Sequence, residues 1–438
     1  MLTIYTDLKN TKWLEFILEE FKRIQDANFE ILISSSPLNN NTPCISYLRE
    51  PLSEKGSNIF NCNQIHPSSE ISKMSDDSFI IANTRSENEN FECKTDLFWN
   101  AFVFLSRLEE YNEEKKGNLI KSYSTKHPRV DKESFQLPIV NILFSQIEKF
   151  IRENHPELEF RVGKPKVIEL SHDLDYIRKT VQLRLKQTAF NTYNTFKSIT
   201  KPKKFFKSTL KTINFLFKTP SYWCFDYWEE LERKNNKKSV FYVYSHSGNK
   251  SFASWLIDPS YQISNDTKLI DCLKRLIDEG FEIGLHGSYA SAFNKTLLEN
   301  EKMELQKSLG TEVKRTRQHW LNFKEDTTPY FHNELFEIDS TLAWNDRMGF
   351  RAGCASMYRP YDHKNDRPFN YMEVPQVIMD SHLYDYANIE PEGMIMSAIN
   401  LLKNLEQFKN VNVSISWHQR VCSTDYNWHK SYEQLITV

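Results

Sequence analysis

The chain has 438 residues, enough for two domains that each bury a substantial core. Its 56 basic and 58 acidic side chains almost cancel, which leaves no global case for nucleic acid as a partner. The seven cysteines are odd in number and form no Cys-x-x-Cys pair, so reduced, mostly buried thiols are expected rather than a disulfide framework or a thiolate zinc site.

Residues 1–16 hold no basic start followed by a long apolar core, and no apolar run reaches the length of a membrane span. A cytoplasmic protein without a transmembrane segment is expected. Leu2 to Tyr5 reads as a short strand, and Trp13, Phe16, Ile17, Phe21 and Ile24 follow at helical spacing. Glu30 to Ser34 suggests a second strand. Asp96 is placed to cap a helix with Trp99, Phe102, Val103 and Ser106 along one side, ending in a charged Glu109-Glu110-Tyr111 turn. A further helix runs from about Pro138 to Arg152. These elements predict a smaller α/β domain over residues 1–160 that carries no recognisable chemical motif.

Two prolines and a glycine between His155 and Pro165 break the periodicity, and strand, loop and helix then alternate through a second domain, residues 161–438. Val167 to Leu170 and Val240 to Tyr244 read as strands. The helix from Asp266 places Leu269, Ile270, Leu273, Leu276 and Ile277 on one face and stops at Gly280, where a left-handed cap costs least. Phe281 to Leu285 is a strand leading to His286. Another helix ends at Gly310 before a strand around Val313, and Val411 to Trp417 is the strand that delivers His418. This alternation predicts parallel strands with helices outside and the chemistry at the strands' C-terminal ends.

One stretch interrupts the rhythm. Between Asp175 and Asp226 there is no acidic residue, yet eleven lysines and arginines lie between Arg178 and Lys218. Phenylalanines interleave with them. This basic insertion, at about 176–222, reads as a solvated helical insertion whose aromatics dock on the barrel, as a membrane-surface helix pair, or as a cover over an anionic ligand.

Polar residues gather where the apolar segments end: His172-Asp173-Leu174-Asp175, His286, Arg317-Gln318-His319, Asp339 and Trp417-His418. Two carboxylates and several imidazoles on one rim can hold a divalent metal and still leave an acid and a base free. Taken singly, an Asp-x-Asp or a lone strand-end His is often structural. Their order within one domain is harder to obtain by accident.

That order resembles the polysaccharide deacetylase family, carbohydrate esterase family 4, over roughly residues 165–438. The resemblance implies a distorted β/α barrel preceded by the smaller α/β domain. Ser171-His172-Asp173-Leu174-Asp175 matches the first family motif, which implies Asp173 as catalytic base and Asp175 as metal ligand. Gly284-Leu285-His286-Gly287-Ser288 matches half of the second, with His286 as metal ligand. Arg317 is the candidate for the arginine that braces the base, and Asp339 for the carboxylate that pairs with it. Ser414-Ile415-Ser416-Trp417-His418 matches the last motif, with His418 as general acid. The stretch from Asp96-Leu97-Phe98 to Glu109-Glu110-Tyr111 looks like a module of unassigned function that accompanies a subset of these proteins.

The roles have independent physical reasons. A divalent cation, zinc by expectation, lowers the pKa of its water to about 7 and polarises a carbonyl oxygen. Asp173 can take the water's proton, an adjacent Arg317 would keep that carboxylate ionised, and His418 can protonate the leaving nitrogen. One departure stands out. The family has a second histidine four residues after the first, and here that position is Ala290. His319 is the best replacement, because alternate residues of an extended Arg317-Gln318-His319 face the same side. Ser288, Tyr289 and Ser291 are weaker donors.

The expected activity is removal of an N-acetyl or related acyl group from a carbohydrate substrate, one that is soluble, anionic or lipid-linked. Trp320, Arg351, Tyr358, Arg359 and Trp417 are candidates to line its site. The rivals are a non-catalytic carbohydrate-binding or scaffold protein on the same fold, and an amidohydrolase acting on a non-sugar amide. No Gly-x-Ser-x-Gly elbow supports a serine hydrolase.

Overall fold

The computed structural model describes residues 1–36, 42–48, 58–61, 72–73, 79–80, 92–93, 96–129, 131–197, 202–246, 250–386 and 390–438. By packing, the chain divides into two compact units. One holds Met1–Ile168, Phe323–Ile378 and Ser397–Ser414; the other holds Glu169–Asn322, Met379–Met396 and Ile415–Val438.

In the first unit a five-stranded parallel sheet runs in the order Ile31–Ser34, Leu2–Thr6, Cys44–Leu48, Asn58–Asn61, Glu92–Cys93. The helix Lys12–Gln25 buries Trp13, Phe16, Ile17, Phe21 and Ile24, the stripe its spacing predicts. Asp96 caps the helix Leu97–Leu105 by accepting the Trp99 amide at 2.9 Å. All nine residues of that helix are buried, so it is a core element rather than one with a single apolar side.

The charged segment after it is not a turn. Leu108–Lys115 is a helix, with Glu109 and Glu110 buried in its first turn. Glu110 pairs with Arg351 at 2.7 Å, Glu109 with Arg129, and Arg107 with Glu325 at 2.6 Å. Buried carboxylates persist only where cations are held against them. The helix Ile139–Asn154 follows where its periodicity places it.

The largest sheet has eight strands in the order Met372–Glu373, Ile338–Asp339, Arg315–Gln318, Glu282–Gly287, Val240–Tyr244, Val167–Leu174, Asn412–Ser416, Gln376–Met379. Val167–Leu174, Val240–Tyr244, Glu282–Gly287 and Arg315–Gln318 are parallel neighbours. The two end strands are separated along the chain only by Val374 and Pro375, so the sheet must curl back on itself, which makes it a distorted barrel. The expected α/β class, a distorted β/α barrel, is therefore what the chain adopts.

Within the second unit, Asp266 caps the helix Thr267–Asp278 through the Leu269 amide, and Gly280, at φ 86°, ends it. The strand expected around Val313 starts two residues later, at Arg315. The basic insertion folds as two helices, Val181–Lys197 and Pro202–Phe217, packed side by side; Leu183 and Phe215 bury against Tyr176 and Tyr222. Lys201 lies outside the described residues, as do the side chains of Lys197, Lys203, Lys204, Lys207, Lys211 and Phe190. Cys224 and Cys422 are joined as a disulfide, which corrects the expectation that all thiols are reduced. Among the described residues no helix is long and apolar enough to cross a membrane.

Candidate active site

Strand alternation sorts the first motif. Asp173 and Asp175 point to one side of Val167–Leu174, and His172 points to the other, where its Nε2 meets Glu232 at 2.7 Å and its ring packs on Trp228 and Phe241. His172 is thus a satisfied core histidine. Trp417 behaves likewise: it is fully buried and its indole donates to the Trp428 carbonyl.

Asp175 is the hub of the site. Its Oδ1 lies 3.3 Å from His286 Nε2 and 3.7 Å from His319 Nε2. Donor atoms of these three buried residues all fall within 4.8 Å of one another. The other nitrogen of each imidazole is already committed: His286 Nδ1 donates to the Arg317 carbonyl at 3.0 Å, and His319 Nδ1 donates to Asp258 Oδ1 at 3.0 Å. Both rings therefore present an Nε2 lone pair to Asp175, whose Oδ1 is buried without a hydrogen-bond partner. Two lone pairs and a carboxylate oxygen facing one another are the donor set of a divalent cation, so the residues present fit a catalytic metal site with three protein ligands.

His319 reaches this position by a route other than the one the sequence suggests. The strand ends at Gln318, and His319, Trp320 and Leu321 form a tight turn in which Trp320 and Leu321 take positive φ of 59° and 51°. Trp320 is left 46 % exposed beside His319. Strain of this kind in bulky residues persists where the surroundings enforce it, and here it turns the imidazole inward. Of the weaker donors, Ser291 instead donates its hydroxyl to the Ser288 carbonyl.

Asp173 is held by Arg317, whose Nη1 donates to its Oδ1 at 2.7 Å and also reaches Ser171 and Ser416. The guanidinium is fully buried, 4.1 Å from the Tyr242 ring centroid. Burial alone would raise the Asp173 pKa, but the Arg317 guanidinium, with the charged His418, holds it below the ordinary value. Asp339 sits in the first unit, where it accepts from His332 Nδ1 at 2.8 Å and from the Thr341 amide.

His418 donates from Nδ1 to Asp380 at 2.9 Å, and its backbone amide binds the same carboxylate. Its Nε2 lies 3.3 Å from Asp175 Oδ2, which Arg420 also contacts at 2.9 Å. Burial would lower the His418 pKa, but Asp380 and Asp175 outweigh it and push it up to about 10, so the metal-free protein keeps this imidazole protonated at neutral pH. Burial would raise the Asp175 pKa, but the His418 imidazolium and the Arg420 guanidinium hold it well below the carboxylate range. A cavity of about 80 Å³ opens beside His418, walled by Asp380, Arg420, Tyr426 and Trp428, and on the other side by Gln187, Asn191 and Phe215 of the insertion helices.

Three residues that hold the candidate site together escape a reading of the sequence. Asp380 follows the apolar strand Gln376–Met379, a signal of the same kind as that of Asp175. Arg420 lies two residues past His418. Asp258 follows a six-residue helix and has no spacing cue at all. Two of the proposed substrate contacts are corrected by burial: Arg351 is locked to Glu110, and Tyr358 is fully enclosed in the first unit's core. Arg359 is held by Glu19 and Glu20.

Residues 2–156 match a family of unknown function, DUF7033. No curated protein matches. Among solved structures, the chain is similar to a protein from Mycobacterium smegmatis assigned as a polysaccharide deacetylase, at 12 % identity and a TM-score of 0.37 over 64 % of this chain and 85 % of that one. It is also similar to Puue allantoinase, at 9 % identity and 0.37 over 62 % and 83 %. The polysaccharide deacetylase Bc1974 from Bacillus cereus matches at 10 % identity and 0.26 over 62 % and 86 %. Likenesses this remote say nothing about activity, which has to be read from the side chains.

Proposed function

We propose that the protein is a metal-dependent hydrolase that removes an N-acetyl or related acyl group from a carbohydrate substrate. The observation that carries this reading is the grouping around Asp175: two imidazole lone pairs beside its free oxygen, a carboxylate braced by Arg317, and an imidazolium braced by Asp380. A non-catalytic scaffold has no need to keep all three.

Asp175, His286 and His319 would hold the cation, zinc by the two-nitrogen, one-oxygen donor set. When bound, the cation supplies Lewis-acid polarisation of the scissile carbonyl. Asp173, ionised at neutral pH, takes a proton from the attacking water, and Arg317 fixes the direction of its lone pair. His418 delivers its proton to the departing nitrogen, so that the C–N bond breaks to give a carboxylate and an amine. Asp380 aligns that ring and stabilises its charged form. The sugar half of the proposal comes from the order of motifs along the chain; the amide half comes from this acid and base pair.

The test is release of free amine from a panel of N-acetylated oligosaccharides and simple non-sugar amides, using chelator-treated protein with and without added zinc. Zinc-dependent turnover of sugars alone supports the proposal. Turnover confined to the non-sugar amides replaces its substrate, and no turnover of any amide by zinc-loaded protein overturns it.

A further inference from the structure

Eleven of the twenty-one exposed large apolar side chains among the described residues lie on three short helices of one unit, Val181–Lys197, Pro202–Phe217 and Phe252–Ile257. On Pro202–Phe217 they form a single stripe. Phe206, Leu210, Ile213 and Phe217 recur at intervals of four, three and four, and are 71, 60, 48 and 74 % exposed. Phe215, half a turn away from Phe206, is buried against Tyr176, Leu183 and Tyr222. The helix thus packs on its own unit through one apolar side and turns a second to solvent. Phe252, 75 % exposed, lies on Phe252–Ile257, which Lys186 of the helix Val181–Lys197 ties to the insertion by donating to the Ile257 carbonyl. An apolar patch of this size marks a contact with something else.

Charge identifies the partner. From Tyr176 to Phe225 the sequence holds eleven lysines and arginines and no acid, while the chain as a whole carries −2; Arg178 and Lys179 are paired with Asp266 and Asp425, and the other nine run from Arg184 to Lys218. A cationic segment with an exposed aromatic stripe fits an anionic bilayer surface, where the rings enter the headgroup boundary and the basic residues meet lipid phosphate. A second copy of the chain would bring like charge against like. We infer that this helix pair docks the protein peripherally on an anionic membrane leaflet. The same helices supply Gln187, Asn191 and Phe215 to the cavity beside His418, Phe215 from the side opposite the stripe, so docking holds a wall of that cavity one helix diameter (~10 Å) from the bilayer surface, where a lipid-carried sugar would be presented. That last step rests on the proposed hydrolase reading; the docking itself does not.

The experiment is co-sedimentation of the whole protein with phosphatidylcholine vesicles, with and without phosphatidylglycerol. Binding is expected only to the anionic vesicles, and it should weaken as salt rises from about 0.1 M to about 1 M and the Debye length falls from about 10 Å to about 3 Å. The triple variant Phe206→Ser, Leu210→Ser, Phe217→Ser changes exposed positions alone and should bind about tenfold more weakly, with unchanged turnover of a soluble substrate. Substituting Lys203, Lys207 and Lys211 by Gln should act in the same direction and flatten the salt dependence. Absence of vesicle binding by the wild type overturns the inference. So does a triple variant that binds vesicles normally but converts an oligomer to a monomer, which would assign the stripe to self-association. Both readouts are independent of catalysis, so an inactive protein that still binds vesicles separates this inference from the proposed reaction.

Discussion

Asp258 Oδ1 accepts from His319 Nδ1 at 3.0 Å and from the Tyr289 amide at 2.8 Å, which fixes the ring proposed to replace the histidine missing at Ala290. A carboxylate behind a ligating imidazole sets its tautomer and raises its basicity. Asp258→Asn should therefore weaken zinc affinity roughly 10- to 100-fold without unfolding the protein. His319→Ala should remove bound zinc almost entirely. Competition against a chromophoric chelator measures both, and unchanged affinity in His319→Ala would remove this residue from the ligand set.

The base and the acid should separate from the metal. Asp173→Asn and His418→Ala each take away one proton-transfer group, so kcat should fall by roughly 10²- to 10⁴-fold while zinc content stays near that of the wild type. Full activity in either variant excludes that residue from the mechanism.

Asp380 is the first charge that raises the His418 pKa, to about 10 in the metal-free protein. Because this folded value lies above the ordinary 6.5, the interaction contributes stability that is fully present below about pH 6.5 and is lost as pH rises toward 10. Asp380→Asn removes the negative charge and should lower that pKa. An NMR titration of His418 in metal-free protein checks the direction, and the basic limb of the activity profile should move to lower pH with it. An unmoved titration would mean that Asp380 does not set this proton.

Much of the site could be read from local pattern, because strand ends place it. Asp173 lies on the strand Val167–Leu174 and Asp175 just past its end, His286 lies near the end of Glu282–Gly287 and His418 two residues beyond Asn412–Ser416, so alternation and order along the chain carry the information. The orienting groups obey no such spacing. Asp258 reaches His319 across 61 residues, and the bond is visible only when the loops are folded. The same limit makes Glu109 and Glu110 read as a charged turn. Their partners, Arg129 and Arg351, lie 20 and 241 residues further along, and without them two adjacent glutamates belong at the surface.

Those pairs make a stability prediction. Arg351 and Glu110 are both fully buried, and Arg351→Met leaves the carboxylate without its cation. Breaking one side of such a pair typically costs about 3–5 kcal/mol, whereas replacing both sides by apolar groups is far cheaper. Urea denaturation should show the single variant much less stable than Arg351→Met combined with Glu110→Leu. Equal stabilities would mean that Glu110 finds another partner or takes up a proton.

The Cys224–Cys422 bond makes the last prediction and bears on where the protein works. It closes a loop of 198 residues, and a cross-link that long restricts the unfolded chain enough to be worth roughly 2–5 kcal/mol. It also ties the start of the helix Phe225–Lys234 to the turn just after His418, so it braces the segment that carries the proposed acid. A reducing cytoplasm would keep this pair as thiols, whereas an oxidising compartment would preserve the bond. Alkylation of freshly lysed cells followed by peptide mapping under non-reducing conditions should recover the Cys224 and Cys422 peptides as one linked species. Reducing agent should then lower the unfolding midpoint of purified protein, and Cys422→Ser should lower it similarly and become insensitive to reductant. Recovery of both cysteines as alkylated thiols would instead place the working protein in a reducing environment, in keeping with the cytoplasmic expectation.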